Sequence, residues 1–460
     1  MGIETTHPDY DAKYSEWKRI DDIVNAKNVA DYLIYLVPSD TSPENVERNR
    51  QYQERAIFYQ ISGQTVQGMV GSIFRKVPEF TVPDNLSYLA SNTDGAGVSI
   101  YQQSQATTRE VLTKGRGGIA VSFPQTEGQV SRADLASGRV VATIHSFKAE
   151  QILNWRTITD GSRVKLSLVT IMEVDEEIQP DGYTVKAIPV IREMLLDDGI
   201  YTERIWHKTA NGWEAKSNFT PTDATGSPWA EIPFAFVGAN NNDHYPDNSP
   251  MSGIVDLNIG HYRNSADFEH NVWFCGQAQA WMSGITQDHI DLLKTNGMYI
   301  GGPTMIGVPE GESFGFASAP ENTMVKGAMD SKVEMMIALG ARMMQVGSAT
   351  KTASQVMGER EAQTSTLALV ASNVSEAYTK ALEWAGMYMG AAGEIEYKLS
   401  DEFVSLELDP QLLQQVVAGF LQGAIPASDY SNFMRRYNMF RDDVTNEEYA
   451  DLLGFAGQME

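Results

Sequence analysis

Between Thr323 and Ala392 the sequence carries two apolar helical patterns joined by a short polar hinge, Gln345-Val346-Gly347-Ser348-Ala349-Thr350-Lys351. Ahead of the hinge, Met324, Ala328, Met335, Ile337, Ala338, Leu339 and Met343 alternate with Lys326, Asp330, Lys332, Glu334 and Arg342. Neither glycine nor proline interrupts residues 328–339. Beyond the hinge, Thr352 and Gln355 form a capping box, a helix start. Leu367, Val370, Val374, Ala377, Ala381, Trp384 and Tyr388 then recur at helical spacing, one apolar stripe down one face. With no proline from Thr352 to Gly390, the pattern predicts a helix roughly 55 Å long at about 1.5 Å per residue. Such a helix must lie against something large, which restricts the chain to a sizeable α-rich body.

The chain has 460 residues, enough for two or three compact units with their own cores. Hydrophobic residues at 42% and charged residues at 21% describe a folded protein rather than a disordered one. Asp and Glu number 60 against 35 Lys and Arg, a net charge of −25. A surface this acidic repels phosphate backbones and disfavours tight, sequence-independent binding of nucleic acid. It does not bar a path along which DNA slides without sticking. Cys275 has no second cysteine to pair with, so folding in reducing cytoplasm is expected. No run of about 18 uncharged apolar residues occurs, and no membrane partner is expected.

In chain order, the first segment reads as helical. Ser42-Pro43-Glu44-Asn45 pairs a cap with a proline at the first helical position and launches a charged helix through Arg50, Arg55 and Phe58. Val66, Met69, Val70, Ile73 and Phe74 mark a second, ending before Pro78. Ser99 caps Ile100 to Lys114, Gly115 stands where a C-terminal cap is wanted, and Gly118–Phe123 alternates as a strand. From Gly138 to Phe236 the period turns to two, with Val140–Ile144, Val164–Ile171 and Tyr201–Trp206 as the clearest strands. Asp181-Gly182, Asp198-Gly199 and Asn211-Gly212 supply the turns of an antiparallel meander. After the polar linker from Gly238 to Pro250, a helix runs from about Gly253 to Met282. Thr286 caps a short helix, Asp288 to Lys294, and three brief strands follow at Met298–Ile300, Met305–Val308 and Ser313–Phe316. Two long helices therefore bracket a small helix-and-strand insert. Asp409-Pro410 opens a helical tail. The expected fold class is α+β.

Candidates for catalysis fail on spacing. Lys351-Thr352 resembles the end of a phosphate loop, but Gln345 and Thr350 stand where that loop needs glycines. Gly115-Arg116-Gly117-Gly118 follows a helix and precedes a strand, the reverse of a dinucleotide fingerprint. His261, Glu269, His270 and Cys275 invite a metal reading, but His261 and His270 point to opposite sides of one helix. The expectation is a protein with no catalytic residues, no metal site and no cofactor.

The order of several short motifs is similar to that of tailed-bacteriophage portal proteins, in the group carrying the domain of unknown function 4055. The resemblance rests on Thr6-His7-Pro8-Asp9-Tyr10, Arg55–Tyr59, Gly71–Pro78, Glu110–Arg116, Asn154-Trp155-Arg156, Ile232-Pro233-Phe234, Leu257–Tyr262 with Ser265-Ala266-Asp267, Leu339–Met343 and Ser365-Thr366-Leu367. It implies a portal fold. Residues 1–250 and the long helix 353–392 would form an α/β wing, 251–282 and 324–345 the stem helices, and 283–323 a small α/β clip. Residues 346–352 would form a tunnel loop and 393–460 a helical crown.

The implied function is a homo-oligomeric ring, a dodecamer, at one capsid vertex. Double-stranded DNA is packaged and ejected through such a ring, and the tail connector attaches to it. The implied partners are the major capsid protein, a head–tail connector or adaptor, the terminase during packaging, and the DNA in the channel. The place would be the virion, after assembly in the host cytoplasm. Gly347, Ser348, Ala349, Thr350 and Lys351 would face DNA, Asp330, Lys332, Glu334 and Arg342 would line the stem, and Met298, Tyr299, Ile306, Phe314 and Phe316 would meet the connector. A head-completion or tail-tube ring is the alternative, but it would lack two long helices flanking a strand insert; an enzyme with a site assembled from distant residues is the remaining one.

Overall fold

A computed structural model of the chain describes residues 2–35, 37–124, 140–210, 212–276, 279–284, 286–296, 313–317, 323–344, 365–400, 410–421, 425–426, 430–431 and 434. The chain divides into two units, Met1–Leu399 and Ser400–Glu460.

The first unit opens with α1 (Pro8–Val24), where His7 accepts a hydrogen bond from the Asp9 amide and Pro8 occupies the first turn. Trp17, Ile20, Ile23 and Val24 face inward, each at most 1% exposed. Helix α2 (Pro43–Arg55) starts at the Ser42 cap as expected but stops three residues short of Phe58. Helix α3 (Ile61–Ile73) follows, then the short strand β1 (Glu79–Thr81). Helix α4 (Ile100–Lys114) has a reciprocal capping box between Ser99 and Gln102 and ends at Gly115, whose φ of +75° suits glycine.

Strands β2 (Arg116–Ser122) and β3 (Thr143–Lys148) pair antiparallel. Only the end of the expected strand Val140–Ile144 is therefore extended. Strands β4 (Ile152–Asp160), β5 (Arg163–Ile178), β6 (Val185–Asp197), β7 (Ile200–Thr209) and β8 (Gly212–Phe219) form the antiparallel meander in sequential order. Strand β9 (Phe234–Gly238) returns to the free side of β2, giving a three-stranded sheet ordered β3-β2-β9. A Cβ on Gly118 would fall 2.5 Å from the Phe234 ring, so the centre of β2 requires glycine there.

Helix α5 (Ser252–Cys275) ends before the expected Met282, because residues 279–283 are extended as β10 (Gln279–Ser283). Helix α6 (Gln287–Asn296) follows Thr286, and β11 (Ser313–Ala317) pairs antiparallel with β10. The expected strands Met298–Ile300 and Met305–Val308 lie outside the described residues. Helix α7 (Thr323–Met344) is the stretch ahead of the hinge. The hinge itself and the Thr352 capping box also lie outside the described residues.

Helix α8 (Thr366–Met389) is the described part of the long helix, capped by Ser365 and closed at Gly390. All seven residues of its expected stripe, Leu367 to Tyr388, are buried, none more than 4% exposed. It packs on α4 and on the three-stranded sheet. Buried Tyr378 bonds Thr107 and Gln103 of α4. Strand β12 (Glu396–Lys398) pairs with β1, so residues 393–399, expected with the tail, belong to the first unit.

The described part of the second unit holds α9 (Pro410–Leu421), which starts at the proline that the sequence marks. Phe420 stacks on Tyr430 with ring centroids 4.1 Å apart. Among the described residues no helix is long and apolar enough to cross a membrane.

Candidate assembly surface on a helical hairpin

Helices α5 and α7 run antiparallel in close contact. A Cβ on Gly253 would sit 3.7 Å from Leu339 Cδ1, and one on Gly260 would sit 3.1 Å from Lys332 Cε. Small residues on α5 let the two backbones approach; a larger residue at 260 would have to displace the lysine stem. Lys332 Nζ donates to Asn264 Oδ1 across the pair at 2.6 Å.

The root of this hairpin is covered. Ile20, Ile23, Val24, Ile61, Val66, Met251, Ile254, Val255, Ile259 and Met336 form one buried cluster drawn from α1, α3, α5 with its N-cap residue Met251, and α7. Asn258, 0% exposed, braces it: its carbonyl accepts from both the amide and the hydroxyl of Ser62, and its amide donates to Tyr59 O. Ser265 similarly ties α5 to the backbone of Ile57.

The outer part is covered only in part by the described chain. Near the end of α5, Val272, Trp273 and Phe274 are 51%, 41% and 52% exposed, and Met324 at the start of α7 is 80% exposed. Consecutive residues on a helix point about 100° apart, so an apolar triplet exposed in succession spreads over more than half of the helix circumference. The strand pair beyond continues the surface, with Trp281 and Phe316 both about half exposed. Trp281 lies opposite Gly315, and a Cβ there would come within 2.9 Å of the indole. Arg55 places its guanidinium 4.1 Å above the Trp273 ring and holds one face of it.

Along α7 the inward face is Val333, Met336, Leu339 and Met343. Met335 and Ile337, members of the apolar pattern read in the sequence, are 52% and 62% exposed, on the other side. Asp330, Glu334 and Arg342 share that outward side. Lys332 instead turns toward α5 and is hydrogen-bonded there. The outward face therefore mixes two carboxylates, one guanidinium and two large apolar side chains.

Burial first, then Lys332, depresses the His261 pKa, and burial first, then Arg48 and Arg55, depresses that of His270. Both rings are favoured as neutral packing groups. Among the described residues no group of three or more His, Cys, Asp or Glu is placed to hold a metal ion.

Of the expected connector-facing residues, Phe314 and Phe316 lie on β11 with ring centroids 5.2 Å apart. Met298, Tyr299 and Ile306 lie outside the described residues, as do Gly347, Ser348, Ala349, Thr350 and Lys351 of the expected tunnel loop. What the sequence did not indicate is strand β10, hidden in an apolar run that continues the helical pattern of α5.

No curated protein matches the sequence. Among solved structures, a chain from the virion of a native gene transfer agent particle is 13% identical, at a TM-score of 0.40, over 88% of this chain and 92% of that one. A chain from the neck of the native particle, computed with C12 symmetry, is 14% identical, again at 0.40, over 86% and 91%. Similarity this low does not establish a shared fold. Residues 250–389, which run from the start of the hairpin to the end of α8, match the model of a domain of unknown function, DUF4055.

Proposed function

We propose that the chain is a non-catalytic subunit of a phage head or neck structure, specifically a portal ring through which double-stranded DNA passes. The observation that carries this reading is the hairpin: a rigidly rooted helix pair whose outer part and strand insert expose Val272, Trp273, Phe274, Trp281, Phe316 and Met324. Apolar side chains this large, exposed together on one hairpin and its insert, mark a surface used in association. A helix pair anchored at one end and only partly covered at the other finds its remaining cover on equivalent pairs of neighbouring copies. Repetition of one such heterologous contact around an axis closes a ring. In this reading α5 and α7 form the stem, β10, β11 and α6 the part that meets the connector, and Asp330, Glu334 and Arg342 lie at subunit contacts or toward the channel. The acidity of the chain suits a wall that lets DNA slide.

Mass photometry at micromolar concentration, followed by negative-stain imaging, tests the proposal. Closed rings with a central hole, twelve-fold in the dodecameric case, are expected. A monomer at every protein concentration and several salt conditions counts against the ring, and a filled or open assembly counts against the portal.

A further inference from the structure

Strands β5 and β6 continue past their neighbours. β4 pairs with β5 only as far as Ile171, and β7 pairs with β6 only from Val190 onward. Residues 174–178 and 185–189 are therefore paired with each other along inner edges and with no further strand among the described residues. A two-stranded ribbon of this kind is marginal in water on its own.

The register sorts its side chains. Val174 lies opposite Pro189 and Ile178 opposite Val185, with Glu176 and Ala187 between them on the same face. Val174, Ile178 and Val185 are 65%, 70% and 52% exposed, and Tyr183 at the tip is 93% exposed. The tip is an ordered turn: the Asp181 carboxylate accepts from the amides of Tyr183 and Thr184 at 3.0 and 2.8 Å and from the Thr184 hydroxyl. Gly182 takes the positive φ of +74° that the turn needs. An aromatic ring held out on a preorganised turn is a low-entropy anchor for a partner.

Charge says which partner. Residues 174–189 carry Asp175, Glu176, Glu177 and Asp181 against Lys186 alone. DNA and anionic lipid are repelled by such a ribbon, and so is a second copy of the same acidic ribbon. Glu176, set between Val174 and Ile178, requires a cation within the apolar strip that covers this face, since an unpaired carboxylate buried there is costly. We propose that the β5–β6 ribbon is a docking arm for a different protein, whose receiving surface is an apolar strip interrupted and rimmed by Lys or Arg. The assignment stands apart from the ring reading, because it does not depend on how the hairpin is covered.

The test uses the full chain with the photoreactive p-benzoylphenylalanine in place of Tyr183. The probe is a biotinylated peptide, Val-Thr-Lys-Thr-Val-Thr-Lys-Thr-Val, which presents valine and lysine on one face of a strand. The control carries Glu in place of Lys. Cross-linking to the lysine peptide is expected to exceed that to the control by roughly tenfold or more. It should fall with Glu176→Lys, and with Ile178→Ser plus Val185→Ser, while circular dichroism is unchanged. Equal yields on both peptides, no yield on either, or cross-links joining two copies of this chain overturn the proposal. None of these outcomes alters the ring test, which reads a different surface.

Discussion

Lys114 is 1% exposed, yet its ammonium lies 2.6 Å from Glu150, 3.0 Å from Glu110 and 3.6 Å from Asp21. Burial alone would lower its pKa, but Glu110 and Glu150 together hold it above the ordinary lysine value. For Glu110 the balance goes the other way: burial raises its pKa despite Lys114. Folded Glu110 thus keeps its proton to higher pH than unfolded Glu110, and its contribution to stability falls as pH rises above the ordinary value of about 4.3. Lys114→Met removes the cation at the centre of the cluster and raises Glu110 further. Urea unfolding of that variant should show a loss of about 3–5 kcal/mol near pH 8 and a smaller one near pH 5. A pH-independent loss would trace the effect to packing instead. Arg116, also 1% exposed, sits in the corner between Trp155 and Phe236, 4.4 and 3.9 Å from their ring centroids. Burial brings its pKa down to about 9, against the pull of Asp243, Asp247 and Asp9. Arg116→Lys keeps the charge but loses the planar face, and thermal unfolding should report about 2 kcal/mol less stability. Neither role is visible in the sequence, where Gly115-Arg116-Gly117-Gly118 reads only as a helix cap.

The two helices around the hinge show what a pattern can and cannot say. In α8 the apolar residues occupy one stripe, the stripe is the buried face, and its reading survives to the residue. In α7 the apolar residues lie on several sides, so spacing alone could not separate the face that meets α5 from the face that meets nothing in the described chain. Met335 and Met336 are adjacent and chemically identical, but one is 52% exposed and the other 0%. Met336→Ala should therefore destabilise by about 2–5 kcal/mol, and Met335→Ala by less than about 0.5 kcal/mol, both read from urea melts of unassembled protein. Equal losses would mean that α7 is rotated about its axis, with Met335 sharing the buried face. The strands divide in the same way. Turn signals at Asp181-Gly182 and Asp198-Gly199 made the meander legible. β10 was not, because Ala278 to Met282 continues the apolar content of α5 and carries no proline or turn pair to mark the break. The overhang of β5 and β6 was equally hidden, since it depends on where the neighbouring strands stop.

At the scale of the whole molecule, association has to overcome charge. Each copy carries −25, so bringing copies together raises a repulsion that salt screens over about 10 Å at 0.1 M and about 30 Å at 0.01 M. Apolar contacts between hairpins are not weakened by such screening. If Val272, Trp273, Phe274, Met335 and Ile337 are covered by neighbouring copies, the assembled fraction should rise as salt is increased from about 0.01 to about 0.3 M, because only the opposing term shrinks. Light scattering or mass photometry across that range measures it. The double variant Met335→Ser, Ile337→Ser should lower assembly at every salt concentration while leaving the urea midpoint of the unassembled chain nearly unchanged, since both side chains are already exposed there. Dissociation on adding salt would be the opposite signature. It would assign the contact to ion pairs of the kind Asp330, Glu334 and Arg342 can make across copies, and would move the interface off the apolar surface of the hairpin.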